Sequence, residues 1–156
     1  MSITTLPSKN NVHQKIANEL SHLLADTYLL YVKTQNYHWN VTGPNFHSLH
    51  LMFEQQYKQL AEATDVIAER IRALKCIAPA GLSHFIKLSS LKEDLGIPTT
   101  KEMLKQLMKD HETVAHLATL ITAKAQKAQD EATVDVLIER IREHEKTAWM
   151  LRSCLE

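Results

Sequence analysis

The placement of the helix-breaking residues fixes the outline of this chain. Its three glycines and four prolines all fall in a few short zones: Pro7, Gly43-Pro44, Pro79 to Gly81, and Gly96 to Pro98. Proline removes a backbone donor and clashes with the preceding turn, while glycine costs backbone entropy. The stretches between these zones, roughly 9–40, 46–75, 82–95 and 99–156, are therefore free to run as long helices.

Apolar spacing agrees. Ile16, Leu20, Leu24 and Tyr31 recur at helical intervals in the first stretch, as do Leu49, Phe53, Leu60, Ile67, Ile71 and Leu74 in the second. In the third stretch Ser90-Leu91-Lys92-Glu93 has the form of a capping box, which predicts a short helix inside a long connection. A second box, Thr99-Thr100-Lys101-Glu102, is expected to start the third long helix. The last stretch is too long for one ordinary helix. Its polar run Lys124 to Thr133 predicts a break, with Asp130 as N-cap of the final helix. Leu104, Leu107, His111, Ala115, Ala118 and Ile121 line the helix before the break. Val134, Leu137, Ile141, Ala148 and Leu155 line the one after it. No strand pattern is visible. The expected fold is all-α: a four-helix bundle with a short extra helix in the long crossover between helices two and three, a connectivity similar to that of ferritin-like bundles.

At 156 residues the chain suits a single domain over 1–156, behind a short N-terminal tail of residues 1–8. No apolar run approaches the roughly 20 residues of a membrane span. The first residues lack the layout of a signal peptide, so a cytoplasmic protein is expected. Cys76 and Cys154 form neither a disulfide framework nor a CxxC motif and read as free thiols. Eighteen basic and eighteen acidic side chains balance to zero net charge, without the basic excess of a dedicated nucleic-acid binder. The nine histidines are the unusual feature.

The second long helix carries His50, Glu54, Asp65 and Glu69. His50/Glu54 and Asp65/Glu69 are both i,i+4 pairs, and at about 100° per residue all four fall in a stripe about 100° wide. Glu54 and Asp65 are nevertheless about 16 Å apart along the axis, too far for one metal with bonds of about 2 Å. Positions 50 and 69 share a midpoint with 54 and 65, between Gln59 and Leu60. A two-fold axis there packs the helix antiparallel against its own copy, so that His50 and Glu54 of one chain face Glu69 and Asp65 of another. His38, near the end of the first helix, is brought beside His50 by the turn at Gly43-Pro44 and supplies a further ligand. Charges at this spacing also describe an ordinary solvated face, and an isolated histidine also describes a hydrogen-bonded core residue. As a ligand set, two imidazoles and three carboxylates without a thiolate suit iron or manganese rather than structural zinc. The pair of Glu-x-x-His motifs on two helices that single-chain di-iron bundles need is absent, which favours an interfacial site.

These residues lie in stretches that closely resemble the Dps family of mini-ferritins. The stretches are Asn36-Tyr37-His38-Trp39-Asn40-Val41-Thr42-Gly43-Pro44-Asn45-Phe46, Leu49-His50, and Asp65-Val66-Ile67-Ala68-Glu69-Arg70, with Lys87-Leu88-Ser89-Ser90 and Trp149 beyond them. The resemblance implies a ferroxidase: a hollow dodecamer built from two-fold dimers that oxidises ferrous iron, typically with hydrogen peroxide, and stores ferric mineral. It implies that His38, His50 and Glu54 of one subunit act with Asp65 and Glu69 of another, although many relatives have aspartate where this chain has Glu54. It also implies that Trp39 is an electron donor beside the site, a position that a packing aromatic also explains. Asp130, Glu131 and Asp135 resemble the acidic lining of pores through which iron enters, and charge at a helix N-terminus explains them equally. His47, one turn before His50, reads as a polar neighbour or an auxiliary ligand, and His111 as a satisfied core histidine. His13, His22, His84, His116 and His144 suggest no role. Near Lys75-Cys76 many relatives have glycine, so a different local turn is expected here. DNA compaction and nucleoid association, also implied by the family, are disfavoured by the balanced charge and the lack of a lysine-rich tail.

Overall fold

Local signals set the ends of five helices in the computed structural model, which describes residues 9–156. The tail expected over residues 1–8, with Pro7, lies outside the described residues, as does the side chain of Lys9. Helix α1 spans Lys9–Asn40, α2 Phe46–Ala73, α3 Leu82–Leu88, α4 Thr100–Lys127 and α5 Glu131–Ser153, and no strand occurs among the described residues. Between α1 and α2 the chain reverses through Gly43, whose φ of 105° is a left-handed conformation that glycine adopts without strain. Thr99 caps α4 through the expected reciprocal box with Glu102. Asp130 caps α5, accepting from the Thr133 backbone N–H at 3.1 Å.

The long helices pair as α1 with α2 and α4 with α5, and the two hairpins close on each other through α1–α4 and α2–α5 contacts. Leu20, Leu23, Leu30, Phe53, Ile67, Ile71, Leu107, Ile121 and Leu137 fill the interior and are inaccessible to solvent. Burying such side chains at roughly 25 cal/mol per Å² is the main favourable term of the fold.

One expectation is corrected. The short helix ends at Leu88, and Ser90 starts no helix. The Ser90 backbone N–H, which a capping box would give to Glu93, is taken by Asp26 of α1, and the Ser90 hydroxyl is drawn to the same carboxylate: each donates to it at 2.6 Å. The Ser89 hydroxyl adds a third bond at 2.6 Å. Asp26 is fully buried, and these charge-assisted bonds compensate its desolvation while pinning the crossover to α1. Asp94 pins the far end. It accepts from the Tyr37 hydroxyl, from Gln106 at 3.1 Å and from the Gly96 backbone at 2.9 Å. The Tyr37 bond, the largest cause, holds the Asp94 carboxyl below its ordinary range.

A different turn is expected at the end of α2, but the chain keeps the turn that a glycine cap makes, with Lys75 in the left-handed place of glycine. Lys75 has φ 64°. The Lys75 N–H donates to the Arg72 carbonyl at 2.8 Å and the Cys76 N–H to the Ile71 carbonyl at 3.3 Å. This pair of bonds is a Schellman motif with a lysine in the left-handed position.

Candidate metal centre

The turn at Gly43-Pro44 lays the end of α1 against the start of α2, and there His38 and His50 stack, ring centroids 3.9 Å apart and planes 17° from parallel. Each ring is held by the other residue's backbone. His38 Nδ1 lies 2.8 Å from the His50 carbonyl oxygen, and His50 Nδ1 lies 2.8 Å from the His38 carbonyl oxygen. A carbonyl only accepts, so both Nδ1 atoms carry the proton and donate it. In the neutral ring this fixes the tautomer and puts the lone pair on Nε2, the form in which imidazole binds metal. Tyr57 meets His38 edge-on with centroids 5.2 Å apart, and Phe46 stacks on His50 at 5.1 Å, so both imidazoles are braced by aromatic walls.

Glu54, one turn beyond His50, is the carboxylate on this side. It forms an i,i+4 ion pair with Lys58. The Lys58 ammonium holds its carboxyl below the ordinary carboxylate range, with smaller pulls from His38 and His50. Asp65 and Glu69 lie farther along α2 and are not gathered with the histidines within one chain. Among the described residues no three of His, Cys, Asp or Glu in a single chain converge closely enough to hold a metal ion. One chain thus brings His38 and His50 together, with Glu54 one turn along, and leaves Asp65 and Glu69 apart. They lie on the face of α2 turned away from Leu49, Phe53, Leu60, Ile67 and Ile71 in the core.

Trp39 follows His38 but turns outward, 65% exposed. His47 is exposed and adjacent to these residues in sequence. Of the three acidic residues at the start of α5, Asp130 is already engaged, its carboxylate accepting from Arg70 of α2 at 2.8 Å as well as capping the helix. Glu131 and Asp135 are exposed.

One polar pair was not legible in the sequence. His111 is buried as expected but is not fully satisfied. Its Nδ1 lies 2.9 Å from Nδ1 of His144, and both residues are 2% exposed. One nitrogen must donate and the other accept, so a single proton lies between the two Nδ1 atoms and the accepting ring is neutral. Burial depresses the affinity of His111 for a further proton to a pKa of about 3, and that of His144 falls well below normal for the same reason. The Nε2 atoms of both, with the Gln56 amide, are the buried side-chain groups without a protein partner among the described residues. Gln56 belongs to the same level of the bundle, since Tyr57 meets Tyr31 and Gln59 meets Glu143, one residue from His144. A pair at this separation on α4 and α5 has no sequence signature, because only tertiary packing joins the two positions.

Comparison with known proteins agrees with this architecture. The ferritin-like domain family matches residues 17–156. A low temperature-induced protein of Nostoc is 42% identical over 145 residues, covering 92% of this chain and 81% of its own length. A DNA protection during starvation protein of Brevibacillus brevis is 34% identical, covering 95% of this chain and 99% of its own. A Dps crystal structure from Vibrio cholerae, described as a member of a broad superfamily of ferritin-like diiron-carboxylate proteins, superposes with a TM-score of 0.91. It is 31% identical and covers 100% of this chain and 97% of its own. With a family match over most of its length and close relatives over nearly all of it, the chain belongs to the Dps family of ferritin-like proteins.

Proposed function

We propose that this protein is a ferroxidase that oxidises ferrous iron, with hydrogen peroxide as oxidant, at di-iron sites shared between two copies of the chain. The ferric product is stored inside a hollow dodecamer of single-domain subunits in the cytoplasm, which protects the cell and its DNA from oxidative damage. The observation that carries this reading is the reciprocal lock between His38 and His50, which engages both Nδ1 atoms with backbone carbonyls and leaves both Nε2 atoms for a metal.

The donor set fits iron. Imidazole with carboxylate and no thiolate suits a redox-active first-row metal. Glu54, Asp65 and Glu69 supply negative charge that balances the rise from ferrous to ferric. Asp65 and Glu69 come from the second copy, packed antiparallel about the midpoint between Gln59 and Leu60. Leu51 and Val66, each 43% exposed in one chain, stand on the outward side of the same helix and favour a partner there. Two ferrous ions give one electron each to a single peroxide, which leaves as hydroxide, so no hydroxyl radical is released. His38, His50 and the carboxylates hold the iron substrate as a pair for that two-electron step. Trp39 stands beside the site as an electron donor. Glu131 and Asp135, with Asp130 behind them, line the pores through which iron enters.

The variant Asp65→Ala with Glu69→Ala tests this reading. Fast iron oxidation is expected to be lost while helical content and oligomer size stay as in the wild type, and unchanged stopped-flow kinetics would overturn it. Metal analysis of the purified protein gives the stoichiometry per dimer. Direct DNA compaction is the less favoured activity, because a zero net charge offers little counter-ion release on binding phosphates. Tight, salt-sensitive gel shifts at low ionic strength would reverse that ordering.

A further inference from the structure

Within one chain Glu54 does not stand open beside the histidines. Its Oε1 is bound by the ammonium of Lys58, one turn further along α2. A glutamate four residues before a lysine is the favourable orientation for such a pair on a helix. At about 100° per residue Lys58 falls within the stripe that holds His50, Glu54, Asp65 and Glu69. It lies between Glu54 and the midpoint of the proposed two-fold, about 2 Å along the axis from that midpoint. We propose that Lys58 is the site's own counter-ion: it holds the Glu54 carboxylate until a divalent metal ion displaces it, and so sets how tightly the site takes metal. This inference rests on the reading of Glu54 as a ligand of the shared site.

Ammonium and metal compete for one group. Both cations are attracted by the same carboxylate, and on one carboxylate they repel each other, so metal capture requires Lys58 to leave. In the single chain the lysine side chain is 62% exposed and Glu54 31%, and the flexible lysine stem lets the ammonium swing off Glu54 while the carboxylate remains beside the imidazoles. The ion pair keeps Glu54 charged and ordered before metal arrives, at the expense of metal affinity. The glutamate side chain is long enough for both partners, because Glu54 reaches Lys58 along the helix without leaving the side of His38 and His50.

Anaerobic titration with cobalt(II), which binds as a divalent ion without being oxidised, reads the effect by its visible absorption and by calorimetry. In the intact oligomer Lys58→Met is expected to raise cobalt affinity about two- to fivefold, the range that exposed ion pairs support. Lys58→Arg should retain wild-type affinity or fall below it. The gain in Lys58→Met should shrink at high salt, where the wild-type pair is screened, and should vanish in a Glu54→Gln background. If cobalt binds the wild type and Lys58→Met leaves its affinity unchanged, or if the gain persists without the Glu54 charge, Lys58 has no such role. If the wild type binds no cobalt through His38 and His50, the shared-site reading falls and this inference with it. Gel filtration confirms that each variant keeps the wild-type assembly.

Discussion

Lys33 and Asp110 form an ion pair at 2.6 Å between α1 and α4, with side chains 6% and 16% exposed. Burial raises the Asp110 pKa, an effect that outweighs the lowering by Lys33. Removing one partner strands the other in a poorly solvated place, so Lys33→Met should destabilise the chain by about 3 kcal/mol, while Lys33→Met with Asp110→Leu should recover most of the loss. Chemical denaturation of the three proteins checks this. The neutral pair His111 and His144 makes a different prediction. Their folded pKa values are depressed, to about 3 for His111, against about 6.5 in the unfolded chain. Unfolding then takes up protons, so the stability they permit is complete above pH 6.5 and declines as pH falls from there toward 3. The decline approaches about 1.4 kcal/mol per pH unit for each ring. His111→Leu with His144→Leu should flatten denaturation midpoints between pH 6 and 4, and an unchanged slope would show that the rings take up protons without unfolding. His111 was legible in the sequence as an interior residue because its own stripe is apolar. Its partner was not, because local spacing contains no information on which α5 residue lies opposite.

At the scale of elements, α2 and α4 both end in Schellman turns whose left-handed residue is not glycine. Lys75 has φ 64° and Gln129 φ 56°. For Gln129 the bonds are Gln129 N–H to the Gln126 carbonyl at 2.9 Å and Asp130 N–H to the Ala125 carbonyl at 3.0 Å. A side chain in this conformation carries a strain that glycine lacks, partly offset by glycine's larger unfolded-state entropy. Lys75→Gly and Gln129→Gly should each stabilise the fold by about 0.5–1 kcal/mol, read as a rise in thermal midpoint. A fall at either site would mean that its lysine or glutamine makes contacts worth more than the strain. The two boxes show what sequence can specify at this scale. Thr99 and Glu102 complete each other's bonds within four residues, so the start of α4 is a local property. Ser90 and Glu93 have the same form, but Asp26, more than sixty residues earlier, takes the serine. A local pattern is overridden wherever a distant buried charge needs the same donors. Four long helices and their order were therefore readable from breakers and periodicity, whereas the short helix was misplaced within the crossover.

At the scale of the whole molecule, the proposed site divides into a histidine half (His38, His50, Glu54) and an acidic half (Asp65, Glu69) on one helix hairpin. That division makes two inactive variants complementary. A His38→Ala, His50→Ala chain retains its acidic half, and an Asp65→Ala, Glu69→Ala chain retains its histidine half. Each homodimer lacks one half at both of its sites. In a mixed dimer one site combines two damaged halves and the other combines two intact ones. Co-expression or joint refolding of the two variants should therefore restore about a quarter of wild-type sites if dimers form at random. Stopped-flow iron oxidation and cobalt stoichiometry should rise together toward that fraction. Simple mixing of preassembled oligomers should give nothing until subunits exchange. A site contained within one chain predicts no recovery under any mixing protocol, because neither variant then holds a complete set of ligands. Zero recovery in co-assembled particles, verified to contain both chains by mass spectrometry, would exclude the two-fold arrangement even if both single variants are inactive. The shared midpoint of positions 50 and 69 with 54 and 65 is what makes the experiment decisive: antiparallel packing about that point sets histidine half against acidic half, whereas parallel packing sets like against like.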